Sequence, residues 1–295
     1  MGCPVTTRVW IDGLVHEPEA AVVSVFDRGF LYGDSVFETL RTYGGRAFAL
    51  LEHLQRLERS AAKVFIELPV SLEVLGAEIE AAVAATGNQE SYVRVIVTRG
   101  SGPLGLDTGF VAHPLRAIIV GRLEPPPPEA YDRGIAVVTY RTQRVSEATE
   151  AAGTKVGNYL VAVLAMRSAR AEGASEALIV DGGGNVVEGA TSNVFAVREG
   201  RLVTPPEEVG ILAGITRWFV LGVARDLGIE VELRPLPASE LIGADEVFIS
   251  SSIRELLPVV RVDSEPVGAG RPGPMTLRLR QAFREKVRGV MGLEV

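Results

Sequence analysis

Gly153-Thr154-Lys155-Val156-Gly157-Asn158-Tyr159 holds one of only three lysines in a chain of 295 residues. The other two are Lys63 and Lys286, beside 27 arginines. A chain so biased uses arginine wherever a generic positive charge suffices. Lys63 falls on a long amphipathic pattern and Lys286 near a charged C-terminal helix, so both have structural explanations. Lys155 stands mid-chain between glycines, where a flexible cation has no such purpose. An ε-amine can lose its proton and form a Schiff base, whereas a guanidinium keeps its charge. Lys155 is therefore a candidate nucleophile.

Working outward, the segment after Lys155 predicts a helix from about Asn158 to Glu172. Strands are expected at Ala177–Asp181 and Val186–Glu188 around a Gly182–Asn185 turn, and a hairpin over 193–204 around Glu199-Gly200. A helix is expected from Ile215, strands near 230–234, 246–250 and 257–262, and a terminal helix over 275–288. Upstream of Lys155, Ile135–Tyr140 reads as a strand. Before it, Leu123-Glu124-Pro125-Pro126-Pro127-Pro128-Glu129 reads as an extended spacer, because proline cannot donate hydrogen bonds. The N-terminal part opens with a strand at Thr7–Ile11 and a turn at Asp12-Gly13. Val36–Tyr43 and Arg46–Leu50 flank Gly44-Gly45, a hairpin signal. Leu51, Leu54, Leu57, Ala61 and Val64 recur at helical spacing, a second helix follows over 71–86, and Tyr92–Thr98 alternates as a strand. Ser101–His113 is a long loop. Mixed hairpins and helices without regular βαβ alternation predict an α+β fold. The expected division is an N-terminal α+β domain over 1–122, a Pro-rich linker over 123–130 and a C-terminal α+β domain over 131–295 carrying Lys155.

Composition narrows the function. A net charge of −7 offers no general affinity for nucleic acid or anionic membrane. No apolar run of membrane-spanning length occurs and no export signal is evident, so a cytoplasmic protein is expected. Met1–Thr6 fits the loose myristoylation pattern, which matches often by chance. The single cysteine, Cys3, and the scattered His16, His53 and His113 give no metal-ligand spacing. There is no GxxxxGK[ST] loop and no GxSxG elbow. Gly268–Gly273 matches GxGxxG, but Pro272 and the missing βαβ context make it a turn.

Four other segments carry candidate chemistry, each beside a plainer alternative. Gly214-Ile215-Thr216-Arg217 opens a helix whose free N–H groups suit a phosphate, or Thr216 is a simple N-cap. Glu188-Gly189-Ala190-Thr191-Ser192-Asn193 puts an acid after a strand, where it either pairs with a ring nitrogen or is an exposed turn residue. Arg56 in His53-Leu54-Gln55-Arg56 either reaches a phosphate or lies on the surface. Ser250-Ser251-Ser252 either supplies hydroxyls to an anion or ends a strand.

The order of these segments resembles the fold-type IV aminotransferases, which use pyridoxal 5′-phosphate (PLP). The resemblance runs from Val9-Trp10-Ile11-Asp12-Gly13 to Pro272-Gly273-Pro274, through Asp27-Arg28-Gly29, Tyr32–Glu38, Lys155-x-x-Asn158-Tyr159, Glu188-Gly189 with Asn193, and Gly214-Ile215-Thr216-Arg217. It implies the two-domain architecture of D-amino-acid aminotransferases, a homodimer, and a site at the domain junction. It makes Lys155 the Schiff-base lysine and proton shuttle. Glu188 is then the acid on the pyridine nitrogen and Tyr159 the partner of the ring oxygen. Arg56, the amides of Ile215 and Thr216, and Ser252 form the phosphate cup, with Ser192, Asn193 and Ser251 as further cofactor contacts. No metal is implied. The substrates would be an amino acid and a 2-oxo acid, exchanged by ping-pong kinetics.

Tyr32, Phe37, Thr39, Tyr92, Arg94, Ile253 and Arg254 are the implied substrate residues. Tyr92-Val93-Arg94 matches the carboxylate motif of branched-chain members, and the loop Thr98–Asp107 looks like that of their bacterial relatives. Phe37, Leu104 and Leu106 are apolar where typical D-specific members place a tyrosine, an arginine and a histidine. This favours branched-chain or other apolar L-amino acids. Glu38-Thr39 and Ser251-Ser252-Ile253-Arg254 depart from the branched-chain pattern and look like aminodeoxychorismate lyase, which performs β-elimination. Arg254 alternatively holds a carboxylate in a D-specific or broad-specificity aminotransferase. A non-catalytic binding protein on the same fold fits poorly with intact Lys155, Glu188, Tyr159 and Arg56.

Overall fold

The computed structural model describes residues 7–109, 111, 113–142 and 152–293. Met1–Thr6, with the lipidation pattern and Cys3, lies outside them. The chain forms two compact units, 1–124 with 154–158, and 125–153 with 159–295. The expected division put the lysine in the C-terminal part. The structure instead groups Thr154–Asn158 with the N-terminal strands, because this segment pairs with one of their edges.

The first unit contains strands β1 (Arg8–Ile11), β2 (Leu14–His16), β3 (Ser35–Tyr43), β4 (Arg46–Ala47), β5 (Ser91–Thr98) and β6 (Leu115–Arg122). Its helices are α1 (Arg28–Tyr32), α2 (Leu50–Lys63) and α3 (Leu72–Thr86). The strands form one sheet in the order β2-β1-β6-β5-β3-β4, antiparallel throughout. Side chains alternate across a strand. Val36, Leu40, Val93, Val95, Val97, Ile118 and Val120 accordingly share a core with Leu54, Leu57, Leu75 and Ile79 of α2 and α3. Register pairs Phe37 with Ile96, Thr39 with Arg94 and Arg41 with Tyr92, so these six occupy the opposite face.

The second unit begins with α4 (Pro128–Arg133), β7 (Ile135–Arg141) and α5 (Leu160–Ala171). Strands β8 (Glu176–Val180), β9 (Asn185–Gly189), β10 (Asn193–Arg198) and β11 (Arg201–Thr204) follow. Next come α6 (Ile215–Asp226), β12 (Val231–Leu233), β13 (Leu236–Pro237), α7 (Ala238–Ile242), β14 (Glu246–Ser251), β15 (Glu255–Val262), β16 (Glu265–Pro266) and α8 (Pro274–Met291). The sheet runs β12-β11-β10-β14-β15-β7-β8-β9-β13, mostly antiparallel, with parallel pairs at β7–β8, β7–β15 and β11–β12. It curls enough for β9 and β10, far apart in that order, to touch where residues 190–192 join them. One antiparallel sheet and one mostly antiparallel sheet, each with its own helices, make the fold α+β.

The proline-rich connection is shorter than expected. Leu123 is buried and donates its N–H to Glu90 O, while Pro128 opens α4 at a position where a missing N–H costs nothing. Gly268 and Gly270 both take positive φ in a turn, in keeping with the rejection of the nucleotide motif there. No helix among the described residues is long and apolar enough to cross a membrane.

Candidate active site

Lys155 is fixed by its backbone. Phe37 N donates to Lys155 O at 3.0 Å and Gly157 N to Ser35 O at 2.8 Å, so the segment extends the edge of β3. Lys155 N also donates to Ser60 Oγ at 3.4 Å. A Cβ on Gly157 would lie 2.1 Å from Ser35 Oγ, which explains the glycine two residues after the lysine. Lys155 Nζ rests 4.5 Å from the centroid of the Phe37 ring, and Arg94 Cζ 3.9 Å from it. The lysine amine and the Arg94 guanidinium therefore both approach one aromatic ring. Thr39 and Tyr92 share that sheet face. Tyr32 sits elsewhere, at the end of α1, where its hydroxyl accepts the Gly105 N–H at 3.0 Å.

Arg56 is not a surface arginine. It is 5% exposed and grips Glu38, itself fully buried, through Nε to Oε1 at 2.7 Å and Nη2 to Oε2 at 2.8 Å. His53 Nδ1 lies 2.7 Å from Glu38 Oε2. Burial alone raises the Glu38 pKa, but the Arg56 charge and then His53 outweigh it and hold the carboxyl well below its usual range. An ionised Glu38 accepts only, so His53 carries its proton on Nδ1. Burial lowers the His53 pKa, against the opposing pull of Glu38. The imidazole is neutral at neutral pH.

In the second unit, Glu188 and Asn193 grip the same residue. Leu212 N donates to Glu188 Oε2 at 3.0 Å, and Asn193 Nδ2 donates to Leu212 O at 2.9 Å. Glu188 is half-buried rather than an exposed turn residue. This clamp fixes the loop leading into α6. The N-cap there is Gly214, not Thr216, and it has no side chain to accept the first N–H groups. A Cβ at Gly214 would meet Asn193 Oδ1 at 1.9 Å. Ile215, Thr216 and Arg217 are all buried, so this helix end offers N–H groups away from bulk water without an acceptor from its own cap. Ser192 Oγ and Ser250 Oγ are buried without a partner among the described residues. Asn193 pairs with Ser250 in register, which brings the β9–β10 connection beside the end of β14. An uncapped, buried helix start beside two orphaned hydroxyls fits a phosphate. Tyr159 heads α5.

The turn after β14 carries Arg254. Arg254, expected at a substrate carboxylate, pairs through Nη1 with Glu176, whose side chain is fully buried, and with Thr191 Oγ1 at 2.9 Å. Ser251, Ser252 and Ile253 precede it and are all half-buried. Sequence reasoning misses Glu176 and Thr191. The signal available is an acid opening a strand that is otherwise wholly apolar, Ala177-Leu178-Ile179-Val180. Glu38 stands out in the sequence only as a neighbour of Thr39, since nothing in its spacing reveals Arg56 as its partner.

Residues 35–262 match the family model described as amino-transferase class IV. The branched-chain-amino-acid aminotransferase of Salmonella typhimurium is 35% identical over 290 residues, covering 93% of this chain and 91% of that protein. The D-alanine aminotransferase of Bacillus licheniformis is 31% identical over 280 residues, covering 95% and 97%. A crystal structure of the T.th. branched-chain amino acid aminotransferase with pyridoxamine 5′-phosphate superposes with a TM-score of 0.90 at 34% identity, covering 96% of this chain and 94% of that one.

Proposed function

Because the chain belongs to the class IV amino-transferases, we propose that it is a branched-chain type, exchanging amino groups between apolar L-amino acids and 2-oxo acids. It is a PLP-dependent enzyme. The observation that carries the substrate reading is the Arg94 guanidinium held over the Phe37 ring. A guanidinium fixed over Phe37, on a face that also carries Ile96, suits a carboxylate attached to an apolar side chain. Relatives named branched-chain aminotransferases support the same reading.

When bound, PLP supplies an aldehyde that captures amines and a ring that withdraws electrons from the carbon carrying the nitrogen. In our reading Lys155 Nζ is the covalent anchor and then the base that takes the proton from the substrate α-carbon. Glu188 would hold the protonated ring nitrogen, and Tyr159 would meet the ring oxygen. The N–H groups of Ile215 and Thr216 and the hydroxyls of Ser192, Ser251 and Ser252 would hold the phosphate, and the Arg56 guanidinium would supply a charge for it. Asn193 fixes the loop before Gly214. Arg94 orients the substrate by its carboxylate, and Phe37 and Tyr92 line its side chain. Donor leaves as its 2-oxo acid before acceptor binds, which gives ping-pong kinetics.

A second reading, elimination or D-specific transfer, draws on Thr39, which pairs directly opposite Arg94, and on the relative named D-alanine aminotransferase. Single-turnover reactions with L-leucine, D-alanine, aminodeoxychorismate and (R)-phenylethylamine separate them. Our reading requires L-leucine to react fastest and pyruvate release from aminodeoxychorismate to be negligible. We also infer a cytoplasmic homodimer. Leu160, Val161, Val163 and Leu164 expose an apolar stretch of α5, and Phe26, Phe30, Leu104 and Leu106 are exposed in the first unit. Light scattering giving twice the chain mass is the expected result.

A further inference from the structure

Glu176 opens β8 and has no exposed surface. A carboxylate in such a place persists only when it is paired and hydrogen-bonded. Its Oε2 accepts from the Thr191 hydroxyl at 2.8 Å and from Arg254 Nη1, while Oε1 accepts the Ala177 N–H at 3.3 Å. Arg254 Nη1 donates to Thr191 Oγ1 as well, closing a three-membered ring of contacts. The three residues come from the start of β8, the β9–β10 connection and the β14–β15 turn.

That turn is restrained on every side. Tyr131 Oη donates to Arg254 O at 3.0 Å, and Arg254 N donates to Ser251 Oγ at 3.4 Å. Glu255 takes φ of 55°, a left-handed conformation rare for a side chain of its kind, and accepts from Arg284 Nε at 2.7 Å. Among these side-chain contacts of the turn, the Arg254–Glu176–Thr191 ring is the one that ties it to the connection carrying Ser192 and Asn193, beside the backbone pairing of Asn193 with Ser250.

We propose that Glu176 is a positioning residue for the transamination. Its buried carboxylate, through Arg254 and Thr191, sets the spacing between the β9–β10 connection and the Ser251–Ile253 turn, and so the fit of this unit to the cofactor. The inference rests on the reading that these two segments bind PLP. Arg254 is then a strut rather than a substrate receptor. A pair serving stability alone would lower the melting temperature and leave cofactor affinity untouched.

The test is titration of the full-length, cofactor-stripped chain with PLP, at a temperature where every variant is folded. Glu176→Gln and Arg254→Gln each weaken PLP binding by roughly tenfold, about 1.4 kcal/mol. The double variant is no weaker than either single one, since both remove the same link. Thr191→Val keeps the charge pair and gives a smaller loss in the same direction. Unchanged affinity in folded Glu176→Gln overturns the proposal, and so does simple multiplication of the two single effects. Should Glu176→Gln fail to fold, Thr191→Val decides, and an unchanged constant there is equally contrary. Failure of the unaltered chain to bind PLP, or binding indifferent to Lys155→Ala, overturns the underlying assignment and this inference with it.

Discussion

At the scale of the residue, the account turns on chemistry that charge alone cannot supply. Lys155→Arg keeps the cation over Phe37 but cannot form a Schiff base. The expected outcome is loss of covalently bound cofactor, read by mass spectrometry after borohydride reduction, with turnover falling to background. Arg94→Ala removes the cation proposed for the substrate carboxylate. A charge-assisted hydrogen bond contributes about 1.5–3 kcal/mol, so KM for L-leucine should rise by about 10- to 100-fold while PLP affinity changes little. An unchanged KM removes Arg94 from the substrate site. Lys155 was legible because lysine is so scarce in this chain and because glycines flank it. Glu176 was not, since its partner Arg254 lies 78 residues away and pairing at such a distance leaves no trace in spacing.

At the scale of the element, the start of α6 is the part most dependent on one backbone detail. Gly214 is the N-cap, and a methyl group there would come within 1.9 Å of Asn193 Oδ1. Gly214→Ala should therefore displace Asn193 from the Leu212 carbonyl. Overpacking of this kind costs about 1–3 kcal/mol, visible as a lower melting temperature together with weaker PLP binding. Retention of both values would mean that the loop adapts freely. The helix itself was legible from Gly214-Ile215-Thr216 and the apolar Phe219, Val220 and Val223. Its cap was not, because Thr216 is an equally good N-cap by residue type and only the backbone shows which residue starts the helix. Strand β6 escaped the sequence reading altogether. Arg116 and Arg122 interrupt its apolar pattern, and it lies between a long loop and the prolines. Arg116 resolves the conflict by pairing with Glu78 of α3 at 2.6 Å, a partner that local pattern does not reveal.

At the scale of the whole molecule, the buried Glu38–His53–Arg56 cluster links stability to pH. Burial holds the His53 pKa below its ordinary value of about 6.5, so the unfolded chain binds a proton that the folded chain refuses. Stability is therefore full above about pH 6.5 and falls as pH drops below it, by at most about 1.4 kcal/mol per pH unit for one proton. Glu38, held below the usual carboxylate range by Arg56 and His53, adds a loss of the same sign once pH passes below its unfolded value of about 4.3. Thermal melts from pH 7.5 to 5 should show the decline, and His53→Gln should flatten it. An identical slope in that variant would assign the effect to other groups. The order of elements and the α+β class were legible because hairpin turns and helical periodicity are local. The grouping of Thr154–Asn158 with the first unit was not, since it depends on Val156 meeting the edge of β3 beside Val36, far earlier in the chain.

The most direct test of the central claim is a single-turnover reaction of the PLP-loaded enzyme with L-leucine, without any acceptor. The visible absorption of the bound cofactor should bleach while one equivalent of the 2-oxo acid appears, and a 2-oxo acid added afterwards should restore the absorption. Persistence of the absorption at saturating L-leucine, with no 2-oxo acid formed, would contradict the account.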